Sequence, residues 1–334
     1  MKILLLGASG LLGHNVLQAL LTTGHQVVAL VRRRNSVTID HPHCLFIERP
    51  ALDNAALLAA AEGCDAIVNC AGVTDMGLLR LTDYTDINCH LCKRIVNAME
   101  HHGIRRLVHV STANTIGNGS AGHPSGEDAG FDKPFSKSLY AISKKQGEEV
   151  LTHACHEHPD WHIVIVNPGF MLGPMDTKPS SGKMLLTGYR PRLMLAPRGG
   201  KAFIDVRDAA AAVVAALERG EHGQRYLLTN NQALLTIKEL YELQARVMGH
   251  RQHVVTLPDW LLLAAGALGD LMRLLGIHTA LSSVNVRQLM TCEYYDNRRA
   301  AEALGLTESP IGQAIADFHA WRKEHKTNTQ NKMI

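Results

Sequence analysis

The first 170 residues alternate short runs of apolar, β-branched residues with longer segments in which apolar residues recur at helical spacing. The short runs predict strands at 2–7, 26–31, 44–48, 65–72, 106–112 and 161–169. The longer segments predict helices at 11–21, 53–61, 83–102 and 136–156. Because strands that alternate with helices form a parallel sheet covered by helices, we predict an α/β fold of the Rossmann type, a doubly wound parallel sheet.

The pattern changes after residue 170, where glycine and proline become frequent and predict a long loop region over 170–200 that could form a substrate lid. Later segments predict helices at 206–219, 236–249, 258–275 and 310–324, with short strands at 225–228 and 253–257. We expect a first domain over 1–170, with 201–230 returning to it, a smaller substrate-binding lobe over 171–325, and a frayed tail over 326–334.

Composition favours a protein that acts on small molecules in a reducing compartment. The chain of 334 residues is 46% hydrophobic and carries a formal charge of only +3, which is too small to indicate a nucleic-acid surface. Its seven cysteines are an odd number in a chain too large to depend on disulfides, which predicts a cytoplasmic protein.

One later run, at 260–269, is strongly apolar but about half the ~20 residues that a membrane span needs. We predict no membrane span. We interpret this run as part of a core or domain-interface helix, and a helix lying on a bilayer surface is the alternative.

Gly7, Gly10 and Gly13 lie where the first strand meets the first helix. Glycines at such a junction allow a tight turn and let a pyrophosphate approach the N–H groups at the start of the helix. The Gly-x-x-Gly-x-x-Gly spacing therefore predicts a dinucleotide-binding turn, and a simple bend between strand and helix is the alternative.

The second predicted strand ends in three arginines at positions 32–34. In a dinucleotide-binding fold this position meets the adenosine ribose, where an acidic residue accepts the 2′-hydroxyl of NAD and an arginine pairs with the 2′-phosphate of NADP. We choose Arg32, with Arg33 as its neighbour, as the NADP contact. A solvated strand end is the alternative.

Tyr140 and Lys144 lie four residues apart in a predicted helix, so the phenol and the ammonium can face one pocket. A nearby cation favours the phenolate, which we expect to lower the pKa of Tyr140. Ser111 and Thr112 end a predicted strand at the carboxyl edge, where open α/β sheets bind ligands, and a hydroxyl there can hydrogen-bond a substrate carbonyl.

Taken together, these features resemble the extended short-chain dehydrogenase/reductase superfamily over nearly the entire chain, closest to its dihydroflavonol-reductase-like and NAD-dependent epimerase/dehydratase branch. The resemblance implies an NAD(P)-binding Rossmann domain over 1–170. It also implies that Thr112 orients a carbonyl, that Tyr140 transfers the proton, and that Lys144 holds the ribose. Ser111 precedes the catalytic hydroxyl. The implied cofactor contacts are Gly7, Ser9, Gly10, Leu11, Leu12, Gly13, Arg32, Cys70, Ala71, Gly72, Tyr140, Lys144, Pro168 and Met171.

The resemblance extends to other positions and departs at one. Asn88 matches the asparagine that begins the family's fourth helix, and Asp208 matches an acidic position in the segment that joins the two lobes. Pro50 stands where the family commonly has an aspartate that contacts the adenine. We therefore interpret the nearby Asp53 as the N-cap of a helix.

The function that the resemblance implies is an NADP(H)-dependent oxidoreductase that reduces the carbonyl of a moderately apolar small molecule, with NAD as a possible cofactor. One alternative is an NAD-dependent nucleotide-sugar epimerase, and another is a non-catalytic NADP(H)-binding sensor. A homodimer through the helices at 83–102 and 136–156 is common in the family and is our expectation.

Two cysteine- and histidine-rich segments could indicate metal or redox chemistry. Cys89 and Cys92 have Cys-x-x-Cys spacing but no second pair, and the histidines between 153 and 162 match no zinc-protease motif. We interpret both segments as structural and predict no metal site.

Overall fold

Strands account for the central part of the structure. The computed structural model describes residues 1–178 and 180–331, with side chains in the last helix described up to 325. The strands within the described residues are β1 (Lys2–Leu6), β2 (Gln26–Val31), β3 (Cys44–Glu48), β4 (Ala66–Asn69), β5 (Arg106–Val110), β6 (His162–Pro168), β7 (Phe170–Leu172), β8 (Leu193–Ala196), β9 (Gly200–Asp205), β10 (Arg225–Leu228), β11 (Leu234–Thr236), β12 (His253–Thr256) and β13 (Cys292–Glu293).

Helices lie between most of these strands. They are α1 (Leu11–Thr22), α2 (Asn54–Ala61), α3 (Thr82–Thr85), α4 (Leu91–His102), α5 (Leu139–Glu157), α6 (Gly182–Gly188), α7 (Val206–Arg219), α8 (Ile237–Val247), α9 (Asp259–Leu274), α10 (Ser283–Met290), α11 (Arg298–Leu304) and α12 (Ile311–Asn331). A π-helical segment, Asp86–His90, joins α3 to α4. The predicted cap is confirmed, because the Asp53 carboxylate accepts a hydrogen bond from the Ala56 N–H at the start of α2.

Seven parallel strands form the main sheet, in the order β10-β6-β5-β4-β1-β2-β3. The strands are nearly continuous runs of buried Val, Ile and Leu, because helices cover both faces of the sheet. One apolar cluster packs α1 and α7 on one face, and another packs α2, α4 and α5 on the other. The predicted fold class, a doubly wound Rossmann-type sheet, is therefore confirmed.

Residues 170–200 are more regular than the predicted loop, because β7, α6 and β8 lie within them. β7, β11 and β13 all pair with β9, and β8 pairs with β12, so two small sheets stand beside the main one. Strand β9 continues directly into α7, since Asp205 is the last residue of the strand and the N-cap of the helix.

The predicted frayed tail is helical as far as it is described, because α12 continues to Asn331. Residues 332–334 lie outside the described part of the chain. The division between a first domain and a substrate lobe at residue 170 stays a prediction.

The interpretation of the apolar run at 260–269 as a core helix is wrong, and its interpretation as a domain-interface helix stays a prediction. Within α9 only Gly266 and Gly269 are buried, and they fit closely against the backbone of the 281–283 segment. Most of the large apolar side chains of the helix are exposed, Trp260 to 70%, whereas Leu262, Leu263 and Met272 are half-buried. None of the helices in the described part of the chain has the length and apolar character needed to cross a bilayer.

His14 in α1 makes folding stability sensitive to mild acid. Its side chain is buried, and burial, assisted by His325, lowers its pKa from 6.5 to about 4. Between these values the unfolded chain takes up a proton that the folded protein excludes. The contribution of His14 to the free energy of unfolding is therefore fully present above pH 6.5. It falls as the pH drops toward 4, by at most about 1.4 kcal/mol per pH unit.

We expect His14→Gln to flatten this part of the curve of unfolding free energy against pH, measured by urea denaturation. His123→Gln removes an exposed histidine and serves as the control. An unchanged slope in His14→Gln would contradict the assignment.

Candidate active site

The glycine turn between β1 and α1 leaves no room for side chains at Gly7 and Gly13. Gly7 has a φ of +83°, and a Cβ on it would lie 2.5 Å from the Ala71 nitrogen. A Cβ on Gly13 would lie 2.1 Å from the Gly7 carbonyl oxygen. Gly10 caps α1 through its backbone, so the first N–H groups of this 12-residue helix face the turn. Ser9, Leu11 and Leu12 lie in the same turn.

The other predicted contacts lie along the same edge of the sheet. Cys70, Ala71 and Gly72 directly follow β4, and Ser111 and Thr112 directly follow β5. Pro168 ends β6, and Met171 lies in β7 just beyond it. Since the carboxyl ends of parallel strands meet at one edge, the structure brings these residues to the edge where open α/β sheets bind ligands.

The three arginines after β2 differ in their surroundings. Arg34 is held in place, because its guanidinium donates to the carbonyls of Val37 and Ile39 and lies 3.9 Å over the Phe46 ring. The side chains of Arg32 and Arg33 are exposed and make no ion pair or hydrogen bond with any described residue. Arg32 is therefore a cation without a structural partner at the end of β2.

Tyr140 and Lys144 lie in the first turns of α5, whose N-cap is the Ser138 side chain. The buried Lys144 ammonium donates a 2.7 Å hydrogen bond to the Val110 carbonyl at the end of β5. This bond fixes the helix to the strand that carries Ser111 and Thr112. Burial lowers the pKa of Lys144, and nearby Cys92, Glu148 and Cys70 partly oppose that shift.

The expected lowering of the Tyr140 pKa by Lys144 is wrong for this structure. Burial raises the pKa of the Tyr140 phenol, and the opposing influence is a hydrogen bond with Thr112. The ammonium is directed to the Val110 carbonyl instead. The phenol is consequently protonated at neutral pH and able to donate a proton.

Asn88 connects the helix that carries Tyr140 to the segment after β4. Its Nδ2 donates to Ser143 Oγ at 2.9 Å and to the Val73 carbonyl, and its Oδ1 accepts from the Val73 N–H. It lies within the π-helical segment before α4, whereas the resemblance places it at the helix start. Gly147 permits this contact, since a Cβ there would lie 2.1 Å from the Asn88 carbonyl oxygen.

A buried polar network behind Thr112 was not predicted. Glu148 Oε1 accepts from Thr115 Oγ1 at 2.6 Å and from Asn167 Nδ2 at 2.8 Å. Asn167 Nδ2 also donates to the Thr112 carbonyl. The available signal was the spacing, because Glu148 follows Lys144 by four residues and therefore lies on the same buried face of α5.

The surroundings of the Tyr140 phenol were also missed. A cavity of about 40 Å³ beside it is lined by Met76, Leu78, Tyr84, Lys137, Ser138, Leu139, Tyr140, Arg273, Val284 and Asn285. Arg273 Nη2 donates to the Met76 and Leu78 carbonyls, and Asn285 Nδ2 donates to the Met76 carbonyl. These contacts join residues about 200 positions apart, so no local pattern could indicate them.

The residues present fit a dinucleotide. The close approach at Gly7 and Gly13 brings the turn next to the first N–H groups of α1, which have no carbonyl partner within the helix and suit a pyrophosphate. Ser111 Oγ is buried at the same sheet edge and has no hydrogen-bond partner among the described residues. Arg32 supplies a free cation at the end of the neighbouring strand.

The cysteine pair at 89 and 92 and the histidine-rich segment at 153–162 form contacts within the protein. Burial raises the pKa of Cys92 to about 12, and its thiol donates to the Asn88 carbonyl. His153 pairs with Glu157, and His158 stacks on Trp161. No group of three His, Cys, Asp or Glu side chains in the described residues could hold a metal ion.

Asp208 accepts hydrogen bonds from Thr307 and Ser309, so it ties α7 to the segment before α12. It therefore connects parts of the chain about 100 residues apart. Pro50 lies after β3 and lacks the carboxylate that contacts the adenine in the family.

Comparison with known proteins gives consistent matches. The model of the NAD dependent epimerase/dehydratase family matches residues 3–229. The chain is 29% identical over 329 residues to "Putative dihydroflavonol 4-reductase" of Synechocystis sp., which covers 96% of this chain and 94% of that protein. It is 27% identical over 334 residues to "Sterol demethylase protein B" of Methylococcus capsulatus, covering 97% and 99%.

Among solved structures, the UDP-glucose-4-epimerase of Stenotrophomonas maltophila with bound NAD superimposes with a TM-score of 0.77 at 19% identity, covering 98% of this chain and 99% of that one. At this identity the likeness concerns the fold. The family match covers more than half of the chain. The chain therefore belongs to the NAD dependent epimerase/dehydratase family, within the extended short-chain dehydrogenase/reductases, and is an NAD(P)-dependent enzyme.

Proposed function

We propose that the protein is an NADP(H)-dependent reductase that converts a carbonyl of a moderately apolar small molecule to an alcohol. The observation that carries this proposal is the placement of Tyr140 beside the end of β5, where the 2.7 Å hydrogen bond from Lys144 to the Val110 carbonyl fixes α5 next to Ser111 and Thr112. Burial raises the pKa of the Tyr140 phenol, and Thr112 partly opposes that shift. A protonated phenol is the form that reduction requires, because the alkoxide formed from a carbonyl must receive a proton.

Each residue of the site has a separate role in the reduction. Thr112 holds the substrate carbonyl oxygen beside Tyr140, and Tyr140 donates its proton to that oxygen. Lys144 holds the ribose hydroxyls and is itself kept in place by the Val110 carbonyl. The reduced nicotinamide, when bound, supplies the hydride. The Asn167–Glu148 network positions the backbone at Thr112 and does not touch the reacting atoms.

The glycine turn and the edge residues form the cofactor part of the proposal. The turn at Gly7, Gly10 and Gly13, with Ser9, Leu11 and Leu12, binds the pyrophosphate. Cys70, Ala71, Gly72, Pro168 and Met171 line the path of the nucleotide along the sheet edge. We also propose a cytoplasmic location. We further propose a homodimer through α4 and α5, and light scattering of the purified protein can test this oligomeric state.

The lining of the cavity favours an apolar substrate. Met76, Leu78, Leu139 and Val284 supply apolar surface, and the arginine in the lining is committed to backbone carbonyls. Lys137, at the exposed side of the lining, makes no ion pair with a carboxylate of the described residues. A nucleotide sugar carries a diphosphate, which ordinarily binds several uncommitted cations, and Lys137 supplies a single one. Two relatives carry names that refer to a dihydroflavonol and a sterol, which are ring compounds with large apolar surfaces.

The direct test is NADPH oxidation by the purified protein with a panel of aldehydes and ketones of increasing apolar surface. We expect turnover with consumption of one NADPH for each alcohol formed. Interconversion of UDP-sugars without net consumption of cofactor would replace this proposal with the epimerase. Tight NADPH binding without turnover of either substrate class would favour the sensor.

Arg32 is expected to select NADPH over NADH. Arg32→Ala removes an uncommitted cation, so the 2′-phosphate loses a charged contact worth about 2 kcal/mol, which corresponds to about 30-fold weaker NADPH binding. NADH binding should stay unchanged, as measured by fluorescence titration. Arg105→Ala is the matched control, because Arg105 is an exposed arginine just before β5, at the opposite edge of the sheet. Equal losses for both cofactors, or none, would remove Arg32 from the assignment.

A further inference from the structure

Helix α9 presents most of its large apolar residues to solvent, whereas Leu262, Leu263 and Met272 are half-buried and the charged Asp270 and Arg273 bond to the protein. The exposed positions form one continuous stripe along the helix, and all of them are apolar: Trp260, Leu261, Ala264, Ala267, Leu268, Leu271, Leu274 and Leu275. On the inner side Asp270 accepts from the Ser283 N–H, and Arg273 donates to the 76–78 segment. A surface helix of a globular protein ordinarily has the opposite arrangement.

The small sheet formed by β8 and β12 extends this stripe. Leu193 and Leu195 on β8 are exposed, and Val255 on β12 is the partner of Leu195 in the sheet. The sheet leads into α9, because β12 ends at Thr256 and Arg198 pairs with Asp259 at the helix start. We call the eight stripe residues together with Leu193, Leu195 and Val255 the α9 apolar face.

Positive charge borders the α9 apolar face. Residues 183–198 and 243–258, which contain β8 and β12, include six Lys or Arg and no Asp or Glu, although the whole chain carries only +3. Arg190, Arg192 and Arg251 are exposed and make no ion pair with a carboxylate of the described residues. The side chain of Gln252 bonds the Pro191 carbonyl, which brings these arginines to one end of the sheet.

We propose that the α9 apolar face docks on the surface of a bilayer that contains anionic phospholipids. The helix is about 24 Å long and would lie in the interface with its leucines among the acyl chains, while the arginines meet lipid phosphates. A second copy of this chain fits less well, because the α9 apolar face contains no carboxylate that could pair with the arginines of a partner. This inference does not depend on the reaction that the enzyme catalyses.

Docking has a consequence for the site. Arg273, near the C-terminal end of α9, holds Met76 and Leu78, which line the cavity beside Tyr140. The docked helix therefore places this cavity next to the bilayer, where apolar substrates accumulate.

The test is flotation of the full-length protein with vesicles of phosphatidylcholine containing 30% phosphatidylglycerol, compared with pure phosphatidylcholine. We expect the wild type to float with the anionic vesicles and to be released at high salt. Leu268→Lys and Leu274→Lys, at positions 56% and 85% exposed, should each lower the bound fraction about tenfold or more. Tryptophan emission should shift to shorter wavelength on binding, and Trp260→Phe should abolish most of that shift.

The matched control is Leu45→Lys, because Leu45 is 61% exposed on β3, at the far edge of the main sheet. It makes the same change of side chain away from α9 and should float like the wild type. An unchanged thermal unfolding curve shows that a variant is folded. The test of vesicle binding needs only one of the two α9 variants to be folded. Absence of vesicle binding by the wild type overturns the proposal, as does equal binding of folded Leu268→Lys or Leu274→Lys. A dimer that Leu268→Lys dissociates, without vesicle binding, would assign the face to a second copy instead.

Discussion

Tyr140→Phe is expected to lower the kcat of carbonyl reduction about 10³-fold while leaving the affinity for NADPH unchanged. The substitution removes one oxygen atom, and with it the proton that the substrate oxygen must receive. Thr112 can still hold the carbonyl, and Lys144 keeps its bond to the Val110 carbonyl, so the site stays assembled. Steady-state rates with the best substrate of the panel, together with an NADPH titration, measure both quantities.

Tyr226→Phe is the control for this substitution. Tyr226 is a buried tyrosine of β10 whose hydroxyl accepts the Glu221 N–H away from the site, so its loss affects stability but not chemistry. If Tyr140→Phe kept more than a tenth of the wild-type kcat, Tyr140 would not be the general acid. If both variants lost activity equally, the loss would reflect the fold and not the proton transfer.

Gly13→Ala is expected to lower the free energy of unfolding by about 3 kcal/mol and to abolish NADPH binding. The added Cβ would lie 2.1 Å from the Gly7 carbonyl oxygen, and both contacting groups are backbone that cannot rotate away. Either α1 or the turn must move, and the N–H groups at the start of the helix then no longer point at one position. Urea denaturation and fluorescence titration measure the two effects.

Gly126→Ala controls for the general effect of adding a methyl group, because nothing lies within 4 Å of its Cβ position. It should bind NADPH like the wild type. A Gly13→Ala protein that bound NADPH normally would show that the turn between β1 and α1 does not hold the pyrophosphate.

The main sheet could be predicted because its strands and helices are long enough for their periodicity to be seen in the sequence. The segments at 26–31, 44–48 and 206–219 have the predicted bounds, and 11–21 differs by one residue at its end. Strands β7, β11 and β13 have two or three residues each, and their extended conformation depends on pairing with β9. So short a run carries no period of its own, so none of the three, including β7 within 170–200, could be predicted from the sequence.

The positions of the site residues could be predicted where the order of strands and helices alone determines them. The ends of parallel strands meet, so Arg32, Cys70, Ser111 and Pro168 were placed at one edge from the order of the elements. Contacts such as Arg273 to Met76 depend on tertiary packing between distant segments and leave no local signal. Likewise, the spacing of apolar residues in α9 indicates a helix but not whether anything covers it.

The direct junction of β9 and α7 determines which parts of the enzyme can move. A hinge needs a few residues that are free to change φ and ψ. No such residue lies between β9 and α7, because Asp205 is both the last residue of the strand and the N-cap of the helix. The Arg207 guanidinium also holds the Asp205 carboxylate. The small sheet around β9 therefore moves as one piece with the helix that packs on α1. We expect ligands to enter by a shift of α9 and α10, which the side chains of Arg273 and Asn285 fasten to residues 76–78 by hydrogen bonds, rather than by a rotation of two lobes about a hinge.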